Sequence, residues 1–163
     1  MRRSFLALAP LAALLAAPPA DAEPRIEPGE WEQVMTMDTG KSGHGEMKQT
    51  QRACLTSGDV EIFTDRERWA QEMLGSNPQA QCKLQDSKEE GTTITVTLAC
   101  EGGVVLTVRH DFQPRSGTIV AETRVNGELQ GSNRIESRKV ADTCSPETIE
   151  RWKQQNPGKT FAP

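Results

Sequence analysis

Tyrosine is absent, aromatic residues make up 4 % of the 163 residues, and there are only two histidines. The scarcity of rings weighs against a pocket with aromatic walls, the usual lining of a small-molecule site. The scarcity of histidine leaves His44 and His110 as the only side chains that titrate near neutral pH without a large shift. No C-x-x-C pair occurs, so the common spacing of a structural zinc site is missing. Neither a G-x-S-x-G elbow nor a free cysteine supplies a nucleophile for a Ser-His-Asp or Cys-His arrangement. Charge of one sign is not in excess either: 19 Lys and Arg stand against 23 Asp and Glu, a formal net charge of −4. That mixed, mildly acidic balance lacks the basic face that nucleic acid requires. No apolar run approaches the roughly 20 residues of a membrane span.

What is present begins with a leader. Arg2 and Arg3 precede an apolar run from Phe5 to Ala17, interrupted by Pro10, and Ala20-Asp21-Ala22 has the small-x-small pattern that a signal peptidase cuts after. Residues 1–22 are therefore expected to be a signal peptide, and 23–163 one mature domain beginning at Glu23. No cysteine follows the cleavage point to carry a lipid anchor. The expected destination is the periplasm or the outside of the cell. Arg2-Arg3-Ser4-Phe5-Leu6 also resembles the twin-arginine export motif, and the sequence leaves both export routes open.

The four cysteines suit an oxidising compartment. Sequence alone permits three pairings. With Glu90-Gly91-Thr92 at a turn, Cys82 falls opposite Cys100, Leu84 opposite Leu98, Asp86 opposite Val96 and Lys88 opposite Ile94, all on one face. Directly opposed strand residues lie within disulfide reach, so this register selects Cys82 with Cys100. Cys54 and Cys144 remain for each other.

Around that hairpin the chain reads as strands. Gly29 to Met37 alternates, with Trp31, Met35 and Met37 on one face, and Glu46 to Leu55 is its hairpin partner. Asp38 to Gly45 is a loop. Thr64-Asp-Arg-Glu67 spells a capping box, and Trp69, Ala70, Met73 and Leu74 follow at helical spacing up to Gly75. From Cys82 onward a meander is expected: Val104 to Phe112 sets Val104, Leu106 and Val108 against Cys100, Leu98 and Val96. Thr118 to Val125 continues it, with Ile119 and Ala121 on the same face. At Asn126-Gly127 a three-residue loop through Glu128 aligns Ile135 with Ile119. Ser145-Pro146-Glu147 starts a last short helix, with Ile149 and Trp152 as its buried pair.

Little in this pattern carries chemistry. His44 sits in a glycine-rich loop and reads as solvated, and His110 reads as a rim histidine on the apolar face, opposite Ile94, with Asp111 pointing away. The acidic series Asp59, Glu61, Asp65, Glu67 lacks the ligand spacing of a calcium loop. Met35, Met37 and Met47 are soft thioethers of the kind copper takes, but methionine on a strand face ordinarily serves as core. No metal or other cofactor is expected.

Gly29-x-Trp31 before a meander matches lipocalins in three residues only. A wider resemblance runs through Pro28-Gly29-Glu30-Trp31, Arg52-Ala53-Cys54-Leu55-Thr56, Cys82, Gly91-Thr92-Thr93-Ile94-Thr95-Val96, Cys100 and Asp142-Thr143-Cys144. In these motifs the chain resembles the bacterial exported family known as domain of unknown function thirty-six seventeen. The resemblance implies an envelope location and a cysteine-stapled β fold, and it brings no activity or catalytic residues. The segment between Cys54 and Cys82 is longer here, and a helix in it that covers the sheet fills any pocket there.

The expectation is a mainly β, monomeric protein of about seven strands. They form an antiparallel meander, strongly curved or a partly open barrel, with one helix packed on it and a short carboxy-terminal helix. Its expected function is non-enzymatic binding of a small apolar ligand or an envelope protein, with Trp31, Met35, Leu98, Leu106, Val108 and His110 as candidate ligand residues. The alternative is an inhibitor or accessory factor of an envelope enzyme, acting through Lys41 to Gly45 or Pro114 to Gly117. An empty apolar space of about 300 Å³ or more would separate a carrier from an inhibitor.

Overall fold

The computed structural model describes residues 26–38, 46–76 and 78–162. The expected signal peptide, its cleavage point before Glu23 and the loop 41–45 with His44 lie outside the described residues. Seven strands pair antiparallel in one sheet: β1 (Gly29–Asp38), β2 (Glu46–Leu55), β3 (Lys83–Glu90), β4 (Thr93–Cys100), β5 (Val104–Gln113), β6 (Ser116–Val125) and β7 (Glu128–Ala141). Their order is β2-β1-β7-β6-β5-β4-β3. From β3 to β7 the sheet is the expected meander. The β1–β2 hairpin then joins it through β1 against β7, pairing Met35 with Ile135 and Gln33 with Ser137. The sheet is not closed, and among the described residues β2 and β3 are its edges.

Two hairpins differ from the expected register by the position of one residue. Leu84 does face Leu98, but β3 and β4 turn through two residues, Gly91 and Thr92, and a bulge at Gln85 sets Ser87, not Asp86, against Val96. Glu89 rather than Lys88 therefore faces Ile94. Between β6 and β7, Ile119 faces Ile135 as expected, yet the turn is the two residues Asn126 and Gly127, with φ of 51° and 85°. Both positive angles suit the tight turn whose twist matches a hairpin. The extra residue sits instead in a bulge beside Thr123 and Arg124.

Two helices, α1 (Ser57–Thr64) and α2 (Arg66–Ser76), stand where periodicity shows one. Thr56 and Asp59 form the capping box of α1: the Thr56 hydroxyl accepts from the Asp59 amide at 3.2 Å, and the Asp59 carboxylate from the Thr56 amide at 2.9 Å. Asp65, not Thr64, caps α2, its Oδ1 accepting from the Glu67 and Arg68 amides at 2.9 and 3.0 Å. Helix α3 (Pro146–Gln155) starts at Ser145 with Pro146 in its first turn, and Trp152 is buried.

The chain passes from edge β2 to edge β3 through α1 and α2, over one face of the sheet. Trp69 and Ala70 of α2 land on Ile94, Val96 and Leu98 of β4 and on Val108 and Phe112 of β5. This is the core, where Ile94 and Phe112 have no exposure at all. Each such side chain contributes about 1.5–3 kcal/mol by leaving water. Two disulfides complete the frame, Cys82–Cys100 at the β3 edge and Cys54–Cys144 between the end of β2 and the approach to α3. Both fit an oxidising, exported environment. Among the described residues no helix is long and apolar enough to cross a membrane.

Candidate functional site

The face covered by α2 continues past the core toward β1 and β2, and there it is only partly filled. Where β5, β6, β7 and β1 start or end beside α1, a cleft of about 40 Å³ opens. Its apolar walls are Ile26, Trp31, Leu55, Phe63 and Ile119, and its polar groups are Gln33, His110 and Ser137. Strand alternation puts these residues together, because Gln33 pairs with Ser137 across β1 and β7, and His110 with Ile119 across β5 and β6. Phe63 comes from α1 and closes the cleft over His110, its ring centre 5.7 Å from the imidazole. The helix that carries it buries no side chain of its own.

Trp31 is 2 % exposed, and its indole nitrogen donates to the Glu27 carbonyl at 3.1 Å. Both the bulk and the polar end of the ring are therefore accounted for. His110 is 4 % exposed and stands among the rings of Phe63, Trp69 and Phe112, at 5.7, 5.4 and 5.0 Å. Burial among those rings pushes its pKa down to about 4, against an opposing pull from Asp111, so the imidazole is neutral at neutral pH. Its Nδ1 is buried and finds no hydrogen-bond partner among the described residues. Its Nε2 lies beside Gly117, where an added Cβ would sit 3.7 Å away. The glycine keeps that side of the ring clear.

Among the described residues no free charge lines this space. Lys139, paired with Trp31 in the register, has its ammonium held by Glu27 and Asp142 at 2.6 and 2.8 Å. Burial alone would lower its pKa, but the hydrogen bonds to those two carboxylates outweigh it and raise the value. Gln33 receives a hydrogen bond from Gln51 at 3.1 Å. The cleft is thus a small apolar space with neutral polar groups at one side.

Of the residues singled out in the sequence, Trp31 and His110 meet in this cleft. Leu98 and Val108 belong to the core under α2, and Leu106 packs against that core. Met35 is half-buried farther along β1. The covering segment between Cys54 and Cys82 does fill the space over β4 and β5, as its length implies. Phe63, Ile26, Gln33 and Ser137 were not legible as site residues, since only the β1–β7 pairing and the extra helix α1 bring them to His110. The Pro114 to Gly117 turn does not project: the Pro114 carbonyl accepts from the Glu27 amide at 2.8 Å, and Arg115 pairs with Glu27 at 3.3 Å and Asp142 at 3.7 Å.

A protein family described as "Protein of unknown function (DUF3617)" matches residues 26–153. The chain belongs to this family. No curated protein and no solved structure matches it. The stretch shared with DUF3617 runs from Ile26 at the cleft to Lys153 in α3, and so spans every cleft residue and all four cysteines.

Proposed function

We propose that this protein is a non-enzymatic binding protein of an exported, oxidising compartment, and that its inner-face cleft holds a small, uncharged, mainly apolar molecule with one polar group. The observation that carries this reading is His110: its imidazole lines an apolar cleft with two further neutral polar side chains, and its buried Nδ1 has no partner among the described residues. Buried polar groups are almost always satisfied, and an orphan calls for an explanation. A hydroxyl or amide of a ligand supplies the missing bond, while the absence of a free charge on the walls disfavours an ionised one.

The cleft as it stands admits little more than the tip of such a molecule, about 40 Å³. Phe63 is the movable wall. No side chain of helix α1 is fully buried, although Phe63 packs on the edge of the core and Asp59 accepts from the Trp152 indole at 3.1 Å, and segments with few buried contacts are those that open at low cost. Catalysis has less support. Asp111 turns to the other face, where Thr92 and Thr93 bond to it at 3.5 and 3.4 Å, and among the described residues no carboxylate lines the cleft to orient His110 toward the Ser137 hydroxyl.

Titration with decanol, read by tryptophan fluorescence with a Trp31→Phe control, tests the reading. The expected result is a saturable change that Phe63→Ala strengthens and His110→Phe weakens about three- to tenfold, the worth of one hydrogen bond. Absence of saturation in both the parent and Phe63→Ala would overturn it.

A further inference from the structure

The three methionines of the first hairpin do not behave as core. Met73 of α2 packs against the buried cluster, whereas Met35 and Met37 are only half-buried and Met47 is 48 % exposed. The register aligns them. Met37 lies directly opposite Met47 across β1 and β2, and Met35 stands two residues away on the same face, opposite Gln49. On the β7 side their neighbours are Asn133 and Ile135, so no charged side chain interrupts the group. Directly opposed Cβ atoms are about 4.5–5.5 Å apart and diagonal ones roughly 7–8 Å. Three rotatable bonds in each methionine let sulfurs at those spacings converge on one point.

Such a donor set is selective by its chemistry. Three thioethers are soft and neutral. They suit a soft monovalent cation, whereas Zn²⁺, Ca²⁺ and Mg²⁺ look for imidazole, thiolate or oxygen. All four cysteines are in disulfides, so among the described residues methionine is the sulfur that remains for a metal. A thioether, unlike a thiol, is not consumed by disulfide formation in an oxidising compartment.

We infer that Met35, Met37 and Met47 form a surface site for Cu(I). The site borders the cleft without sharing a residue with it: Met35 stands two residues, about 7 Å, along β1 from Gln33, and Met37 six residues, about 20 Å, from Trp31. No change of oxidation state is involved: the metal arrives and leaves as Cu(I).

The test uses the intact, disulfide-bonded protein with ¹³C-methyl methionine, titrated anaerobically with the acetonitrile complex of Cu(I) against bicinchoninate, and in parallel with Ag(I) as a redox-inert probe. The expected result is one metal per chain, with the methyl signals of Met35, Met37 and Met47 moving and that of Met73 staying in place. Met37→Leu and Met47→Leu should each weaken binding at least about tenfold, the loss that even outer partners of a metal site produce. Circular dichroism should show an unchanged fold. The inference is overturned if the competitor strips Cu(I) completely, if the three signals stay still, or if the triple Leu variant binds as well as the parent.

Discussion

Replacing His110 by Phe should remove a specific part of the protein's acid sensitivity. In the unfolded chain the imidazole titrates near 6.5, and in the fold burial lowers this to about 4. Above pH 6.5 the group is neutral in both states and contributes no slope. Between about 6.5 and 4 the unfolded chain takes up the proton first, so stability falls as pH falls, until the buried imidazole is itself protonated. One pKa unit corresponds to about 1.4 kcal/mol, and between pH 7.5 and 4.5 the linkage comes to roughly 2–3 kcal/mol. The rings around it, Phe63, Trp69 and Phe112, do not titrate, and the neighbouring Asp111 carboxylate pulls against the effect of burial. Carboxylates that titrate over the same range do so in both proteins and cancel in the comparison. Urea unfolding at the two pH values, followed by tryptophan fluorescence, reads the difference. The parent should lose about 2–3 kcal/mol more than His110→Phe. Equal losses would refute the claim that His110 is held neutral by burial.

Trp31→Ala should cost about 3–5 kcal/mol in chemical denaturation, because it empties a buried ring position and frees the Glu27 carbonyl. A cost under 1 kcal/mol would mean that the ring contributes no packing. Losing the Cys54–Cys144 bridge, which closes 90 residues, should destabilise by about 4–5 kcal/mol in the chain-entropy model. Cys82→Ser with Cys100→Ser, releasing 18 residues, should cost about 3 kcal/mol, and thermal unfolding of the two pairs of variants would reveal a reversed order.

Much of the β architecture was legible because the apolar residues alternate over long stretches. Ile94, Val96 and Leu98 declare a buried face, and Leu106, Val108 and His110 fall into line with them whatever the turn between. The two misplaced turns have one cause. Alternation counts residues between aligned pairs and does not say whether the odd residue sits in the turn or in a strand. At Gln85 and beside Thr123 it sits in the strand, as a bulge. The cysteine pairing survived this because the bulge and the turn of the β3–β4 hairpin both lie on the turn side of Leu84 and Leu98.

The cleft was less legible for a different reason. Trp31 and His110 stand out singly, but what joins them is the contact of β1 with β7, residues about a hundred positions apart, and no local pattern encodes such a pairing. Helix α1 was hidden too. Its capping residue Thr56 follows directly on Leu55 of β2, and its weak apolar stripe gives no clear helical period, so Phe63 fell outside the one helix expected. The exposure of Met47 is equally invisible to alternation, which reports the face and not whether anything covers it.

The central claim is that the cleft beside His110 holds a small uncharged molecule, and native mass spectrometry of the gently isolated protein tests it most directly. The account predicts an adduct of a few hundred daltons, lost on denaturation and reduced in His110→Phe. A bare mass in both the parent and Phe63→Ala, even after incubation with decanol, would contradict it.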